Sequence, residues 1–406
     1  MTDCDIVVVG AGPGGATAAE KLAHFGFNVV VFEKSAVPGA NNVCAGMFCM
    51  SCANHFSLDP SVFERVIHKE IHFFDTQAIE LENEEGVVTV LRDRFDPYLA
   101  ERAVGSGAEL RTDTRVTDIN VLGTGQAEVR FLTGGQGKEG RLRCRAVVLA
   151  DGPMSLSRKF PGLGFHATQE FLSFAFSCDV EAGGNTMNHF EMYFDRALAD
   201  WGYGWVFPKK DMLNFGLVCR VPEFEENKSL LKQRLRYFME EHPRASRVLA
   251  GRGLIRKRGA MIPQKMATKI CQDSLVVVGD AAGMADSVFG GGIENAMYAA
   301  EMAATVLKSA LEQDRLDSGF LKQYQDAWVA SRRYRMMKVA ERSRDWLCRL
   351  DGLDPRISDT LKRLGALKMR MNRDGVGGPW SLMRLLFSAS YRGSMTIDAE
   401  TLPHSF

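Results

Sequence analysis

The stretch that decides the fold is residues 5–34, which read DIVVVGAGPGGATAAEKLAHFGFNVVVFEK. A short apolar run from Ile6 to Val9 is followed by a glycine-rich turn, an alanine-rich segment and a second apolar run that ends just before Glu33. This order predicts a buried strand, a tight turn, a helix and a second strand. The segment is therefore a βαβ unit of the kind that binds nucleotides.

The glycines of the turn have the spacing G-x-G-x-x-G. Gly10 permits the sharp turn, Gly12 lets the backbone approach a pyrophosphate, and Gly15 allows the helix to pack closely over the strand. Gly14, in the same turn, is assigned to the same site. A bare glycine turn without ligand is the competing interpretation, and the complete βαβ context argues against it.

Glu33 follows the second strand about twenty residues after the turn, where a carboxylate can accept hydrogen bonds from ribose hydroxyls. It would also repel a 2'-phosphate. Lys34, the next residue, is assigned to the same site. These residues predict a dinucleotide with free ribose hydroxyls.

Composition limits the class of protein. The chain has 406 residues, 46% apolar and 25% charged, so it can bury a large core and divide into two lobes. Fifty basic residues balance fifty acidic ones, which removes the electrostatic basis for general nucleic-acid binding. With no basic segment before the first apolar run and no run of eighteen apolar residues, we predict a cytoplasmic protein, with nine reduced cysteines.

Another apolar strand, far from the βαβ unit, is predicted in residues 275–283, LVVVGDAAG, and ends at Asp280. The glycine turn that follows opens a long amphipathic helix whose N-terminus can face an extended ligand. From this turn we assign three residues to the cofactor site: Gly290, Gly292 and Ile293.

A third segment, AVVLADGPMSLSRKF at 146–160, places Asp151 and Gly152 after another apolar run. Taken in their order along the chain, the glycine turn, the Asp151-Gly152 segment and the segment that ends at Asp280 resemble the motifs of the glutathione-reductase-like flavoproteins of the para-hydroxybenzoate-hydroxylase type. The resemblance implies FAD as the cofactor, with Asp280 at the ribityl chain. The implied fold class is α/β: a FAD-binding Rossmann-type domain with an inserted antiparallel-sheet substrate domain and a helical C-terminal region.

Two more residues follow from this resemblance. Arg92 lies in RDRFD, an R-x-x-F-D pattern that implies contact with a FAD phosphate; the alternative is a solvated arginine in a charged segment. Asp96 is expected to cap a helix with Pro97 at its first position. Val116 lies where the related flavoproteins hold adenine through backbone groups.

Tyr203, Trp205 and Phe207 alternate in YGWVFPKKDMLNFGL, residues 203–217, so the three rings project from one face of a strand. They can form a wall for an apolar ligand or pack a core. With the flavin motifs, Y-x-W-x-F-P-K followed by N-x-G-L resembles the signature of the geranylgeranyl reductase family.

Residues 43–52, VCAGMFCMSC, lie where that family has a cysteine beside the flavin. The resemblance implies that Cys44, Ala45 and Met47 lie along FAD. Cys49 and Cys52 are then small apolar residues of the helix that follows. The spacing C-x4-C-x2-C also matches a plant-type ferredoxin, so an iron–sulfur cluster is the alternative.

The resemblance implies a reductase of isolated carbon–carbon double bonds in isoprenoid chains on a lipid or quinone. A hydride from reduced flavin then needs a proton at the other carbon, and the candidate catalytic residues are Cys44, Tyr203 and Trp205. The electron donor is expected to be NAD(P)H, ferredoxin or a reduced quinone. The alternatives are an aromatic or polyketide monooxygenase of the same fold and a prenyl-binding escort without flavin.

Residues 331–373 hold thirteen basic against five acidic residues, with apolar residues at helical spacing. They can lie on anionic lipid at the inner membrane face, or form a basic lid on the protein or on a second subunit. The predicted domains are a FAD-binding domain (1–75, 92–165 and 265–315), a substrate-binding sheet domain (76–91 and 166–264) and the helical C-terminal region (316–406).

Overall fold

Three β-sheets and the helices packed on them organise the computed structural model, which describes residues 2–40, 43–74, 77–135, 137–184, 187–199, 202–221, 228–349 and 397–398. The strands are β1 Ile6–Val9, β2 Val29–Phe32, β3 Met47–Cys49, β4 Arg65–Phe74, β5 Gln77–Thr89, β6 Glu109–Arg111, β7 Thr114–Gly123, β8 Gln126–Thr133, β9 Lys138–Cys144, β10 Ala146–Leu149, β11 Leu172–Glu181, β12 His189–Tyr193, β13 Gly202–Pro208, β14 Met212–Arg220, β15 Leu254–Pro263, β16 Cys271–Gln272, β17 Leu275–Val277 and β18 Ile397–Asp398. The α-helices are α1 Pro13–His24, α2 Met50–His55, α3 Arg92–Gly105, α4 Lys228–Glu240, α5 Ala245–Leu249, α6 Ile293–Glu312, α7 Ser318–Ala330 and α8 Arg332–Arg349.

The first sheet has six strands in the order β16-β17-β10-β1-β2-β6. Its central strands are parallel, β1 lying between β10 and β2. Every residue of β1, β2 and β10 is buried, as expected for a parallel sheet covered on both faces. Helices α1 and α6 pack against each other beside this sheet. The predicted βαβ unit and the α/β fold class are confirmed.

The second sheet is largely antiparallel, in the order β15-β11-β14-β13-β12-β4-β5-β18, with β3 paired to β5. Side chains alternate between its faces. On one face Phe215 and Leu217 of β14 join a core with Phe238 of α4. The other face carries the three rings of β13.

Residues Met47–Cys49 and Arg65–Phe74 both pair with β5, so they belong to the second sheet. This corrects the predicted domain boundary at residue 75, since the chain enters this sheet earlier.

Helix α3 also differs from the prediction. It begins at Arg92, with Leu91 as its N-cap, so Pro97 lies inside the helix and Asp96 does not cap it. The reason is an ion pair between Arg92 and Asp96 one turn apart, described below.

The C-terminal helices α7 and α8 follow α6. Residues 350–396 and 399–406, which complete the predicted C-terminal helical region, lie outside the described residues. None of the helices in the described ranges combines the length and apolar character needed to cross a bilayer.

Candidate active site

One cavity of about 2090 Å³ collects residues from both large sheets. Small-molecule sites commonly span about 300–1,000 Å³, so this cavity has room for a cofactor and a second ligand. The predicted site residues that line it are Gly10, Gly12, Gly14, Glu33, Lys34, Cys44, Ala45, Met47, Arg92, Val116, Asp151, Gly152, Tyr203, Trp205, Phe207, Asp280, Gly290, Gly292 and Ile293. Gly15 does not line the cavity; it lies beneath the turn, where an added Cβ would be 1.9 Å from the Gly10 carbonyl oxygen.

The glycine turn leaves an open approach to the N-terminus of α1. Gly12 is the N-cap, and a Cβ there would meet only the Arg92 guanidinium, at 3.9 Å. Gly10 has φ +97°, which favours glycine. The helix N-terminus is thus available for an anionic pyrophosphate.

Glu33 is buried beside this turn. Its two carboxylate oxygens accept hydrogen bonds from the backbone N–H groups of Ala11 and Ser35, each at 2.9 Å. A carboxylate has about four lone-pair positions, so acceptor capacity is left for ribose hydroxyls.

Arg92 is fixed rather than solvated. Its Nε and Nη2 donate to the two carboxylate oxygens of Asp96 at 2.6 and 2.7 Å, and its side chain is 13% exposed. Burial by itself would lower the pKa of Arg92, but the Asp96 carboxylate outweighs this and raises it, so the guanidinium remains charged beside the glycine turn. The alternative of a solvated arginine is wrong.

Replacing Asp96 with alanine should cost roughly 3–5 kcal/mol of stability, because it leaves the buried Arg92 charge unpaired. Urea denaturation measures the change. The matched control is Glu240→Ala, which breaks an exposed Arg236–Glu240 pair of the same i,i+4 spacing and should have no measurable effect. An equal effect of the two variants would contradict the structural importance of the buried pair.

Two acidic residues face the cavity between the sheets. Asp151 accepts a hydrogen bond from the Leu156 N–H through Oδ2 at 2.7 Å, whereas its buried Oδ1 has no partner among the described residues. Burial raises the pKa of Asp151 and of Asp280, and the Arg92 charge partly opposes the shift at Asp280. A donor is what Asp151 Oδ1 lacks, and a hydroxyl of a sugar or ribityl chain supplies one. The residues therefore fit FAD.

Two side chains of the loop before α6, those of Asp286 and Ser287, hold it by hydrogen bonds. Ser287 is buried and donates a hydrogen bond to the Gln264 carbonyl at 2.9 Å. Asp286 accepts from the N–H groups of Val288 and Phe289 at 2.9 and 2.8 Å. These side-chain hydrogen bonds fix the loop beside the cavity.

The three rings of β13 form an apolar wall of the cavity, completed by neighbours that the sequence did not reveal: Ala175, Phe190 and Met192. Phe190 and Met192 come from β12, which carries no recognisable motif. Their alternation on a strand paired with β13 is the signal that could have found them.

The Tyr203 hydroxyl and the Trp205 ring nitrogen of this wall already form hydrogen bonds within the protein. The Tyr203 hydroxyl donates to the Phe289 carbonyl at 2.6 Å, and Trp205 Nε1 donates to Asn214 Oδ1 at 2.8 Å. Burial raises the pKa of Tyr203. This geometry favours a substrate wall over proton donation for Tyr203 and Trp205.

Cys44 is half-buried at the cavity, and its Sγ accepts the Gly46 N–H at 3.3 Å. Cys49 lies on β3, not on the following helix as predicted, because the chain pairs with β5 there. Cys52 is fully buried in α2, and burial raises its pKa. In the part of the chain that the structure describes, no three His, Cys, Asp or Glu side chains are grouped as ligands of a metal ion.

The first half of α8 also reaches the cavity. Arg333 pairs with Glu294 at 2.8 Å and lies 3.8 Å above the Tyr298 ring, while Met337 and Ala340 are buried. Over its described residues, the basic segment thus packs as a lid on the protein.

The model for the FAD binding domain family matches residues 3–343. With the dinucleotide site, this defines the protein as a FAD-dependent oxidoreductase. Digeranylgeranylglycerophospholipid reductase 2 of Methanothermobacter thermautotrophicus is 31% identical over 88% of this chain and 91% of its own length. The chain belongs to the geranylgeranyl reductase family of flavoproteins.

Two further relatives agree with this assignment. The digeranylgeranylglycerophospholipid reductase of Methanocaldococcus jannaschii is 31% identical, over 80% of this chain and 82% of its own length. The crystal structure of a geranylgeranyl bacteriochlorophyll reductase-like protein from Thermoplasma acidophilum superimposes with a TM-score of 0.78 at 25% identity. The superposition covers 89% of this chain and 90% of the Thermoplasma acidophilum chain.

Proposed function

We propose that this protein saturates isolated carbon–carbon double bonds of isoprenoid chains carried on a lipid. The observation that supports this best is the continuity of the cavity, in which the dinucleotide site and the aromatic wall share one space with the Cys44 thiol. An apolar chain lying along Tyr203, Trp205 and Phe207 would reach the flavin without entering water. The names of the relatives point to the same chemistry.

When bound and reduced, FAD supplies the hydride that an isolated double bond needs. The other carbon needs a proton at the same time, since no carbonyl group is adjacent to take up charge. The Cys44 side chain lies at the cavity surface, whereas the Tyr203 hydroxyl is bound to a carbonyl. We therefore assign proton delivery to Cys44 and substrate positioning to the ring wall.

The test uses anaerobic, photoreduced holoprotein with geranylgeranyl compounds, followed by mass spectrometry. The expected product gains two hydrogens for each double bond reduced. Oxygen consumption coupled to hydroxylated product would indicate the monooxygenase instead, and a purified protein without bound flavin would indicate the escort.

The electron donor and the membrane contact are separate parts of this proposal. NAD(P)H, ferredoxin and a reduced quinone can each be tested by anaerobic bleaching of the flavin absorbance.

A lipid substrate favours a peripheral position on the inner membrane face, supported by the basic residues Arg332 and Arg335 at the cavity. Co-sedimentation with anionic vesicles tests that position.

Filling the apolar part of the cavity should weaken binding of the lipid substrate without weakening binding of FAD. Ala175 lines the cavity on β11, so Ala175→Phe should raise KM for a prenyl substrate about tenfold while FAD affinity stays unchanged. Steady-state kinetics and FAD titration measure both quantities. The control is Ala197→Phe, at an exposed alanine. Equal KM values in the two variants would place the substrate elsewhere.

A further inference from the structure

Lys209 is a buried cation behind the Cys44 turn, which we define as residues 44–46. It follows Pro208 and continues the alternation of the rings on β13 toward the cavity side. Its side chain is 1% exposed. The cavity wall at this point is formed by the Cys44 turn itself, so Lys209 supports that wall from behind.

The Lys209 ammonium donates to three backbone carbonyls, those of Ala45 at 2.6 Å, Gly46 at 3.1 Å and Val90 at 3.0 Å. The Val90 N–H donates back to the Gly46 carbonyl at 2.8 Å. Gly46 has φ +62°, and an added Cβ would lie 2.2 Å from the Val90 oxygen. The turn is therefore closed against the end of β5 by one lysine, one backbone bond and one glycine.

This arrangement is costly for the fold. Among the described residues, no carboxylate forms an ion pair with Lys209, and burial lowers its pKa to about 8, although Cys44, Glu64 and Asp179 act in the opposite direction. An apolar side chain would avoid that cost. An apolar residue, however, could not donate hydrogen bonds to the three carbonyls that Lys209 binds.

We propose that Lys209 is a positioning residue that fixes the Cys44 turn against the flavin site by binding its backbone carbonyls. Arg92 also forms a side-chain hydrogen bond with Cys44, and Arg258 and Tyr203 are in electrostatic reach of it, but among the described residues none of these three donates to the carbonyls of the turn. The inference rests on the proposed function, because it takes Cys44 as the residue that delivers the proton. Its test needs no substrate.

The test is hydrogen exchange of the FAD-bound protein, read at the Gly46 and Val90 amides. In Lys209→Met both should exchange about tenfold faster than in the unchanged protein, because buried carbonyls lose their donor. The Ala150 amide, bonded to Val9 in the first sheet, is the internal reference and should not change. Lys210→Met removes an exposed neighbouring lysine and should leave all three amides as they were.

Lys209→Gln is the second variant, since its amide keeps two N–H donors without a charge. It should restore part of the protection that Lys209→Met loses, and it serves alone if the methionine variant does not fold. Unchanged exchange at Gly46 and Val90 would overturn the proposal. So would equally faster exchange at Ala150, because that would show general loosening.

Stability against pH gives an independent readout. The folded-state pKa of Lys209 is lowered to about 8 from its usual 10.5, so the unfolded chain binds more protons between those values. The unchanged protein should therefore become more stable relative to Lys209→Met as the pH rises through this window. A constant difference would show that the ammonium is not buried as described and would overturn the proposal.

Kinetics separate this inference from the proposed function. Lys209→Met should lower kcat about tenfold with little change in KM, because the ring wall is left intact. If the unchanged protein reduces no prenyl compound, the proposed function fails while the exchange result still stands or falls by itself.

Discussion

Replacing Cys44 with alanine should lower the rate of double-bond reduction by roughly 10²–10⁴-fold, the usual contribution of a positioned general acid. The thiol lines the cavity and its hydrogen bond from Gly46 is long. Arg92, which it also contacts, keeps its ion pair with Asp96, so loss of the thiol should not disturb the fold. Single-turnover reduction of a prenyl substrate by prereduced protein measures the chemical step. FAD content and the rate of flavin reduction should remain as in the unchanged protein.

Cys49→Ala is the matched control, because Cys49 is also half-buried and lies five residues further along the chain. It should retain full activity. If Cys44→Ala retained full activity as well, the proton would have to come from another group. Tyr203→Phe would then be the next variant to measure, even though the hydroxyl is bound to Phe289.

Replacing Gly12 with valine should lower FAD affinity by roughly a hundredfold, or about 2.7 kcal/mol, since the side chain would occupy the space of the pyrophosphate. The fold should survive, because a Cβ at Gly12 meets no atom closer than the Arg92 guanidinium at 3.9 Å. Titration of FAD into apoprotein, followed by fluorescence, gives the affinity.

Gly105→Val is the control for the loss of a glycine. It lies at the end of α3, where an added Cβ meets nothing within 4 Å, and should bind FAD normally. Normal affinity in Gly12→Val would remove the glycine turn from the cofactor site. Loss of folding in Gly12→Val alone would show that the turn is structural.

The sequence was most informative where the physics is local. Strand, turn and helix follow from apolar periodicity and glycine spacing within a few tens of residues, so residues 5–34 were interpreted correctly. Asp151 and Asp280 were predicted because the motifs that hold them, each after an apolar run, together resemble those of flavoproteins. The aromatic strand was found because alternation puts its rings on one face, although alternation alone could not distinguish a ligand wall from a core.

Contacts between distant segments decided the rest. Lys209 and Ala45 are 164 positions apart, and Phe190 and Met192 reach the wall only through strand pairing. The ion pair that moves the start of α3 to Arg92 depends on burial beside the glycine turn. Periodicity records which side of an element is apolar, but it does not record which element covers that side. The sequence and its family resemblance thus predicted the cofactor site and the candidate thiol, whereas only the tertiary structure joined them to the ring wall and to the lysine behind it.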